Sequence, residues 1–295
     1  MKPLFTIGKV ILGICLLVPS YTAAKQQTIA IDDVMAQRLH KEKAGHNNAF
    51  LVSLYRPTYI IPFNYTTKPY QKVYVDTPQS QSLNQGEVKF QLSLKIPVWK
   101  NAFNDPNSIL YVAYTQQSYW QAYNHSAFFR ETNYEPEVFL AHHFNRPLLG
   151  DWKLSLLTVG ASHQSNGKGG ILERSWNRIY GEAILANSHW MFSVKPWFVV
   201  RDNSYRRYNE NLARYLGYER MLFSYKYHDH VFSVEARNTV ESHFSRGAIQ
   251  ASWSFPLTTH LRGYTEFFSG FGQNLIEYDH HTNSIGVGIA LTDWI

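Results

Sequence analysis

Apolar and polar residues alternate with a period of two in about twelve segments of this chain, and that pattern commits them to β-strands. The clearest segment spans residues 87–98. Val88, Phe90, Leu92, Leu94, Ile96 and Val98 make one face; Glu87, Lys89, Gln91, Ser93 and Lys95 make the other. The last segment sets Ile285, Val287, Ile289 and Leu291 against Ser284, Gly286, Gly288 and Ala290, small residues that suit a crowded interior. Further strands are expected near 50–63, 109–121, 134–144, 153–164, 177–186, 190–200, 214–226, 230–239, 247–255 and 260–270. Turn-forming runs such as Asn104-Asp105-Pro106-Asn107, Asn145-Arg146-Pro147 and Asp202-Asn203-Ser204 separate them. An even set of about twelve antiparallel strands is what a bacterial transmembrane β-barrel requires, although a soluble sandwich alternates in the same way.

The N-terminus differs. Lys2 and Lys9 precede an apolar run at 10–18, and small residues follow at Thr22, Ala23 and Ala24. That run is too short to span a membrane, so residues 1–24 read as a secretory signal peptide. Residues 25–48 lack aromatics and read as a periplasmic arm with one helical turn around 34–39; residues 49–295 read as a single barrel domain. The only cysteine, Cys15, leaves with the signal, so a disulfide cannot stabilise the rest. Closing the sheet on itself can, because every strand is then paired on both sides.

The net charge of +6 is mild and no block of Lys and Arg occurs, which argues against nucleic acid as a partner. Beyond the leader there is no apolar run near the ~18 residues a membrane helix needs. Aromatics make up 16% of the chain, with 20 Tyr and 8 Trp. Trp99, Trp120, Trp176, Trp190 and Trp294 fall near strand ends, where the aromatic girdle of a barrel sits. Composition alone fits a soluble β protein as well as an outer-membrane barrel.

The chemistry concentrates at His163-Gln164-Ser165-Asn166-Gly167 and Arg174-Ser175-Trp176-Asn177-Arg178. His163 and Ser165 are two apart on one strand and share its face with Leu157, Val159 and Ala161. Asn177 shares a face with Ile179, Gly181, Ala183 and Leu185, while Arg178 and Glu182 take the other. With charge inside and apolar residues against lipid, His163, Ser165 and Asn177 point outward. A hairpin through 166–176 can bring Asn177 beside His163. Ser, His and an amide on one face make a serine-hydrolase triad, and at a lipid boundary its natural substrate is a lipid ester. Ser–His pairs two apart in a strand are common and most do nothing; polar groups facing hydrocarbon, however, are costly and need a reason. Glu131, Glu135 and Glu137 are expected to pair with barrel Arg and Lys, and His142-His143 and His280-His281 to be loop or interface residues without a metal.

The HQSNG run at 163–167 followed by RSWNR at 174–178 resembles the signature of outer membrane phospholipase A. The likeness extends through KFQLSL at 89–94, YTQ at 114–116, RETNYEPE at 130–137, VKPW at 194–197 and GYTEFFSGFGQNLIEY at 263–278. It implies that Ser165 is the nucleophile, His163 the general base and Asn177 its orienting partner, with the Gly167 N–H in the oxyanion hole. It further implies a calcium-dependent homodimer. The metal would be held mainly by backbone carbonyls at Lys168 and position 173 of one chain and Ser126 of the other, and Gln116 would meet its counterpart in the dimer interface. Family members carry serine where this chain has Glu173; outer-membrane barrels usually end on Phe where it has Ile295. The expectation is therefore a calcium-dependent outer-membrane phospholipase acting on phospholipids and lysophospholipids, its site facing outward near the membrane surface. The alternative is a barrel of the same fold without the chemistry, a channel or an adhesin.

Overall fold

The computed structural model describes residues 33–38, 52–74, 76–238, 242–243 and 245–295. The expected leader and most of the expected arm lie outside the described residues. Within them the chain forms β1 (Ser53–Leu54), β2 (Thr58–Thr66), β3 (Gly86–Lys100), β4 (Ser108–Gln121), β5 (Phe128–Pro147), β6 (Lys153–Ser165) and β7 (Ser175–Ala186). It continues through β8 (Trp190–Val200), β9 (Glu219–Tyr227), β10 (His230–Arg237), β11 (Ala248–Pro256), β12 (Arg262–Phe271) and β13 (His281–Thr292). Every neighbouring pair is antiparallel, β2 pairs with β13, and the β3–β4 pairing completes the ring. The twelve long strands β2–β13 thus close the expected barrel, and β1 adds two residues along β3.

Burial separates the two architectures that alternation left open. Glu87 and Lys89 are each 1% exposed, whereas Leu92, Ile96 and Val98 on the same strand are 40–54% exposed. A soluble sandwich would place them the other way round; a membrane barrel turns its apolar face to lipid and its polar face to the lumen. No described helix is long and apolar enough to cross a membrane.

Ion pairs fill the lumen. Arg130 lies between Glu87 at 2.6 Å and Glu277 at 2.7 Å. Arg56 bridges Glu135, at 2.8 Å, and Glu137, which also pairs with Lys195 at 3.0 Å. Lys168 pairs with Glu131 at 3.0 Å and Lys89 with Glu266. The three acidic residues of 130–137 are indeed structural partners of Arg and Lys. Such pairs hold only because each charge is matched; removing one partner leaves the other desolvated and unpaired. Where β2 meets β13 the backbones approach so closely that a Cβ on Gly288 would lie 2.1 Å from the Ile60 carbonyl oxygen.

Several expectations need correction. The strand drawn at 50–63 is broken: Tyr55 and Arg56 turn inward and Pro57, which has no N–H to donate, precedes β2. The strand drawn from 214 begins at Glu219, because 203–208 and 212–216 are helical. In α3 (Leu212–Leu216), Leu212, Ala213 and Leu216 share one helical face and are all buried, and Gly217 at φ +75° ends it. Trp176 does not belong to an outer girdle. It has the lumen-facing parity of Arg178, whose guanidinium lies 4.4 Å from its ring centroid, and it packs edge-on against Trp197. Trp294 likewise packs on the lumen side, with the Arg220 guanidinium 5.3 Å from its ring. Trp99 and Trp120 are exposed.

The helical turn at 34–38, here α1, begins with Asp33, whose side chain accepts from the Ala36 N–H at 2.7 Å. Its Val34 and Met35 pack against Ile184, Ala186, Met191 and Leu222 on the barrel wall.

Candidate active site

β6 and β7 form a hairpin in which His163 lies directly opposite Asn177 and Ser165 opposite Ser175. Along β6, Leu157, Val159, Ala161 and His163 are exposed while Thr158 and Ser162 are buried, so His163 and Ser165 lie on the outer face. His163 Nδ1 and Asn177 Oδ1 are 2.8 Å apart. Because Oδ1 can only accept, Nδ1 carries the proton and donates it, which leaves the Nε2 lone pair free as a base. Among the described residues no hydrogen bond joins Ser165 Oγ to His163. Their Cα atoms are about 6.6 Å apart by strand geometry, within reach of side-chain rotation on one face, and such contacts commonly tighten only with substrate bound.

The loop between β6 and β7 is closed by one buried side chain. Asn166 Oδ1 accepts from the N–H groups of Arg174 (3.0 Å) and Lys168 (3.3 Å), while its Nδ2 donates to the Leu172 carbonyl at 2.9 Å. Its backbone N–H donates to the Arg174 carbonyl at 2.9 Å. Gly167 stands between these anchors at φ +66°, in the left-handed region that favours glycine, and a Cβ there would meet the Tyr134 ring at 3.1 Å. Among the described residues nothing accepts from the Gly167 N–H.

The expected calcium ligands divide between two places. Lys168 sends its amine away from the loop, to Glu131 and to the Arg130 carbonyl at 3.0 Å, so only its backbone oxygen remains for a cation. At Glu173 the carbonyl accepts from Arg174 Nη1 at 2.7 Å, while the carboxylate accepts from Ser175 Oγ at 3.1 Å. Both oxygens at 173 thus already accept one hydrogen bond. A carbonyl and a carboxylate are hard oxygen ligands and fit calcium. Among the described residues no group of three or more His, Cys, Asp or Glu could hold a metal. Ser126 lies on the β4–β5 loop, where Gln81 holds its backbone in both directions at 3.1 Å. Gln116 faces outward on β4; its Oε1 accepts from Tyr114 at 3.0 Å and its Nε2 donates to Ser118 at 3.2 Å. The chain thus brings together His163, Asn177 and the 166–174 loop beside Ser165, and places Ser126 and Gln116 on other strands and loops.

Two residues escaped the sequence reading. Asn166 was inside the motif without a role. Asp202, read only as part of a turn, accepts from Asn177 Nδ2 at 2.7 Å. Asn177 pairs with Val200 on β8, so an acid just past the end of that strand was the available signal. Asp202 also caps α2 (Asn203–Tyr208), accepting from the Tyr205 N–H at 2.8 Å. Burial raises the Tyr205 hydroxyl above its ordinary phenolic range, so it stays neutral.

A closed barrel that is apolar outside and ion-paired inside belongs to the class of outer-membrane β-barrels. Phospholipase A1 as a family matches residues 35–291. The phospholipase A1 of Proteus vulgaris is 36% identical over 281 residues, covering 93% of this chain and 94% of the relative. That of Escherichia coli K12 is 35% identical over 250 residues, covering 84% of each. The crystal structure of the Salmonella typhi outer membrane phospholipase, a dimer with bound calcium, superposes with a TM-score of 0.78 at 34% identity, covering 84% of this chain and 94% of that one. The chain belongs to the phospholipase A1 family, as its 163–178 motif led us to expect.

Proposed function

We propose that this protein is a calcium-dependent outer-membrane phospholipase that hydrolyses acyl esters of phospholipids and lysophospholipids and acts as a homodimer. The observation that carries the reading is the 2.8 Å contact of His163 Nδ1 with Asn177 Oδ1 on the lipid-facing side of a membrane barrel. His163 Nε2 takes the proton of Ser165, whose Oγ attacks the ester carbonyl. The Gly167 N–H donates to the developing oxyanion. The proton passes from His163 to the departing alcohol, and His163 then deprotonates the water that hydrolyses the acyl-enzyme. Calcium, when held by the Lys168 carbonyl, Glu173 and the second subunit's Ser126 carbonyl, would polarise the same ester oxygen.

A site completed by a second chain is silent in the monomer, and Gln116 is assigned to that interface. Phospholipid reaching the outer leaflet after membrane damage, and favouring dimers there, would then switch the enzyme on. The calcium-bound dimer of the Salmonella typhi relative supports this reading.

The test is fatty-acid release from mixed phospholipid–detergent micelles by wild type and Ser165→Ala, in calcium and in chelator. Release that requires both Ser165 and calcium is the expected result. A refolded, dimeric wild type that releases nothing in calcium leaves a non-enzymatic barrel.

A further inference from the structure

We infer that Asp202 is a positioning residue for the triad: its carboxylate fixes the orientation of the Asn177 amide and through it the tautomer of His163. The inference rests on the Ser165–His163–Asn177 reading and deepens it.

An amide is nearly symmetric in shape, and nothing in Asn177 itself decides which end faces His163. A neutral imidazole accepts either end, donating from Nδ1 to an oxygen or accepting there from an NH2 group. Only the first arrangement leaves Nε2 basic. A carboxylate removes the ambiguity because it only accepts. With Asp202 Oδ2 at 2.7 Å, the Asn177 NH2 must face Asp202, Oδ1 must face His163, and the ring proton must sit on Nδ1. The relay runs over three elements: β6 carries His163, β7 carries Asn177, and Asp202 lies between β8 and α2.

Capping α2 does not account for this geometry. A cap needs one side-chain oxygen, and Oδ1 supplies it to the Tyr205 N–H at 2.8 Å. Oδ2 is left for Asn177. Among the described residues no Lys or Arg pairs with Asp202, so its charge is directed at the amide rather than shared with a cation. A triad whose third member is uncharged thereby gains a negative charge one hydrogen bond further out.

Asp202→Asn is the discriminating substitution, since asparagine caps helices as well as aspartate does. If the oxygen of the new amide at position 202 caps α2, its NH2 faces Asn177. The Asn177 amide then reverses, and His163 is held with its proton on Nε2. Fatty-acid release in saturating calcium is expected to show kcat about tenfold to a hundredfold lower, the loss typical of orienting partners, with KM and the thermal unfolding midpoint unchanged. Asp202→Ser, a second good cap without charge, should lose kcat likewise.

The double variant Asn177→Asp with Asp202→Asn retains every hydrogen bond. The carboxylate placed at position 177 accepts from His163 and from the amide NH2 at position 202, while the amide oxygen there still caps Tyr205. It should recover kcat to within about threefold of wild type, as expected when a network is kept whole. A purely capping role predicts no loss in Asp202→Asn and no rescue in the pair. Wild-type kcat in Asp202→Asn, or a double variant no better than Asp202→Asn, overturns the assignment. Ser165→Ala run alongside separates the two levels. If it stays active, the triad reading itself fails; if it is inactive while Asp202→Asn is normal, only the role of Asp202 fails.

Discussion

The lumen and the outer face of β6 and β7 use polar side chains in opposite ways. Inside, charge is dense and matched: Arg130 has two carboxylates, Glu137 two cations, Glu135 two guanidinium groups. Outside, polar side chains are few, and some are anchored on one side and open on the other. His163 is anchored through Nδ1 with Nε2 free, and Asn166 ties down the loop while the Gly167 N–H has no acceptor among the described residues. Charges matched in pairs make stability; a polar group held rigidly from behind with one side open is available for chemistry.

Four measurements would break or sharpen that contrast. Ser165→Ala should lower fatty-acid release on the order of 10³-fold or more, as deleting a nucleophile does, with an unchanged unfolding midpoint; a large stability loss would place Ser165 among the structural residues. Arg130→Met should do the reverse, costing about 3–5 kcal/mol because the Glu87 and Glu277 carboxylates are left buried without a cation. Urea titration in lipid vesicles reads the loss, and the folded fraction should keep its specific activity. Glu173→Gln removes a charged oxygen donor and should raise the calcium concentration for half-maximal activity by about tenfold, since ligand charge tunes calcium affinity. No change there assigns the ligand at 173 to the backbone. Gln116→Leu should be mildest. Its hydrogen bonds to Tyr114 and Ser118 are worth no more than about 1.5 kcal/mol each to the barrel. Cross-linking should nonetheless reveal a weaker dimer, and an unchanged dimer would remove Gln116 from the interface.

Alternation made the twelve strands legible, and with them the faces of His163 and Asn177, because parity is a local property of the backbone. What escaped was set by distant partners. Arg130 meets Glu277 across 147 positions, and no periodicity announces that pair. Residues 214–216 looked like the start of a strand because their apolar residues are too few to separate a short helix from alternation; burial against Trp197 and Tyr205 decided it. Trp176 was misplaced by the habit of reading tryptophan near a strand end as interfacial, when its parity with Arg178 already pointed inward. Asp202 was visible only as a turn residue. Its second oxygen, facing Asn177, becomes visible only once β7 and β8 are side by side.

The seam between β2 and β13 sets an order of events in the life of the chain. Thr66 pairs with Ser284 and Tyr59 with Ala290, so the first long strand waits for more than two hundred residues to be made before its second neighbour exists. Until then β2 offers an open row of N–H and C=O groups that a lipid interior cannot satisfy. Insertion therefore cannot proceed strand by strand behind the ribosome. The polypeptide must be kept from aggregating until its last segment arrives, and the glycines at 286 and 288 act as the fitting of a clasp, leaving room for the two edges to meet.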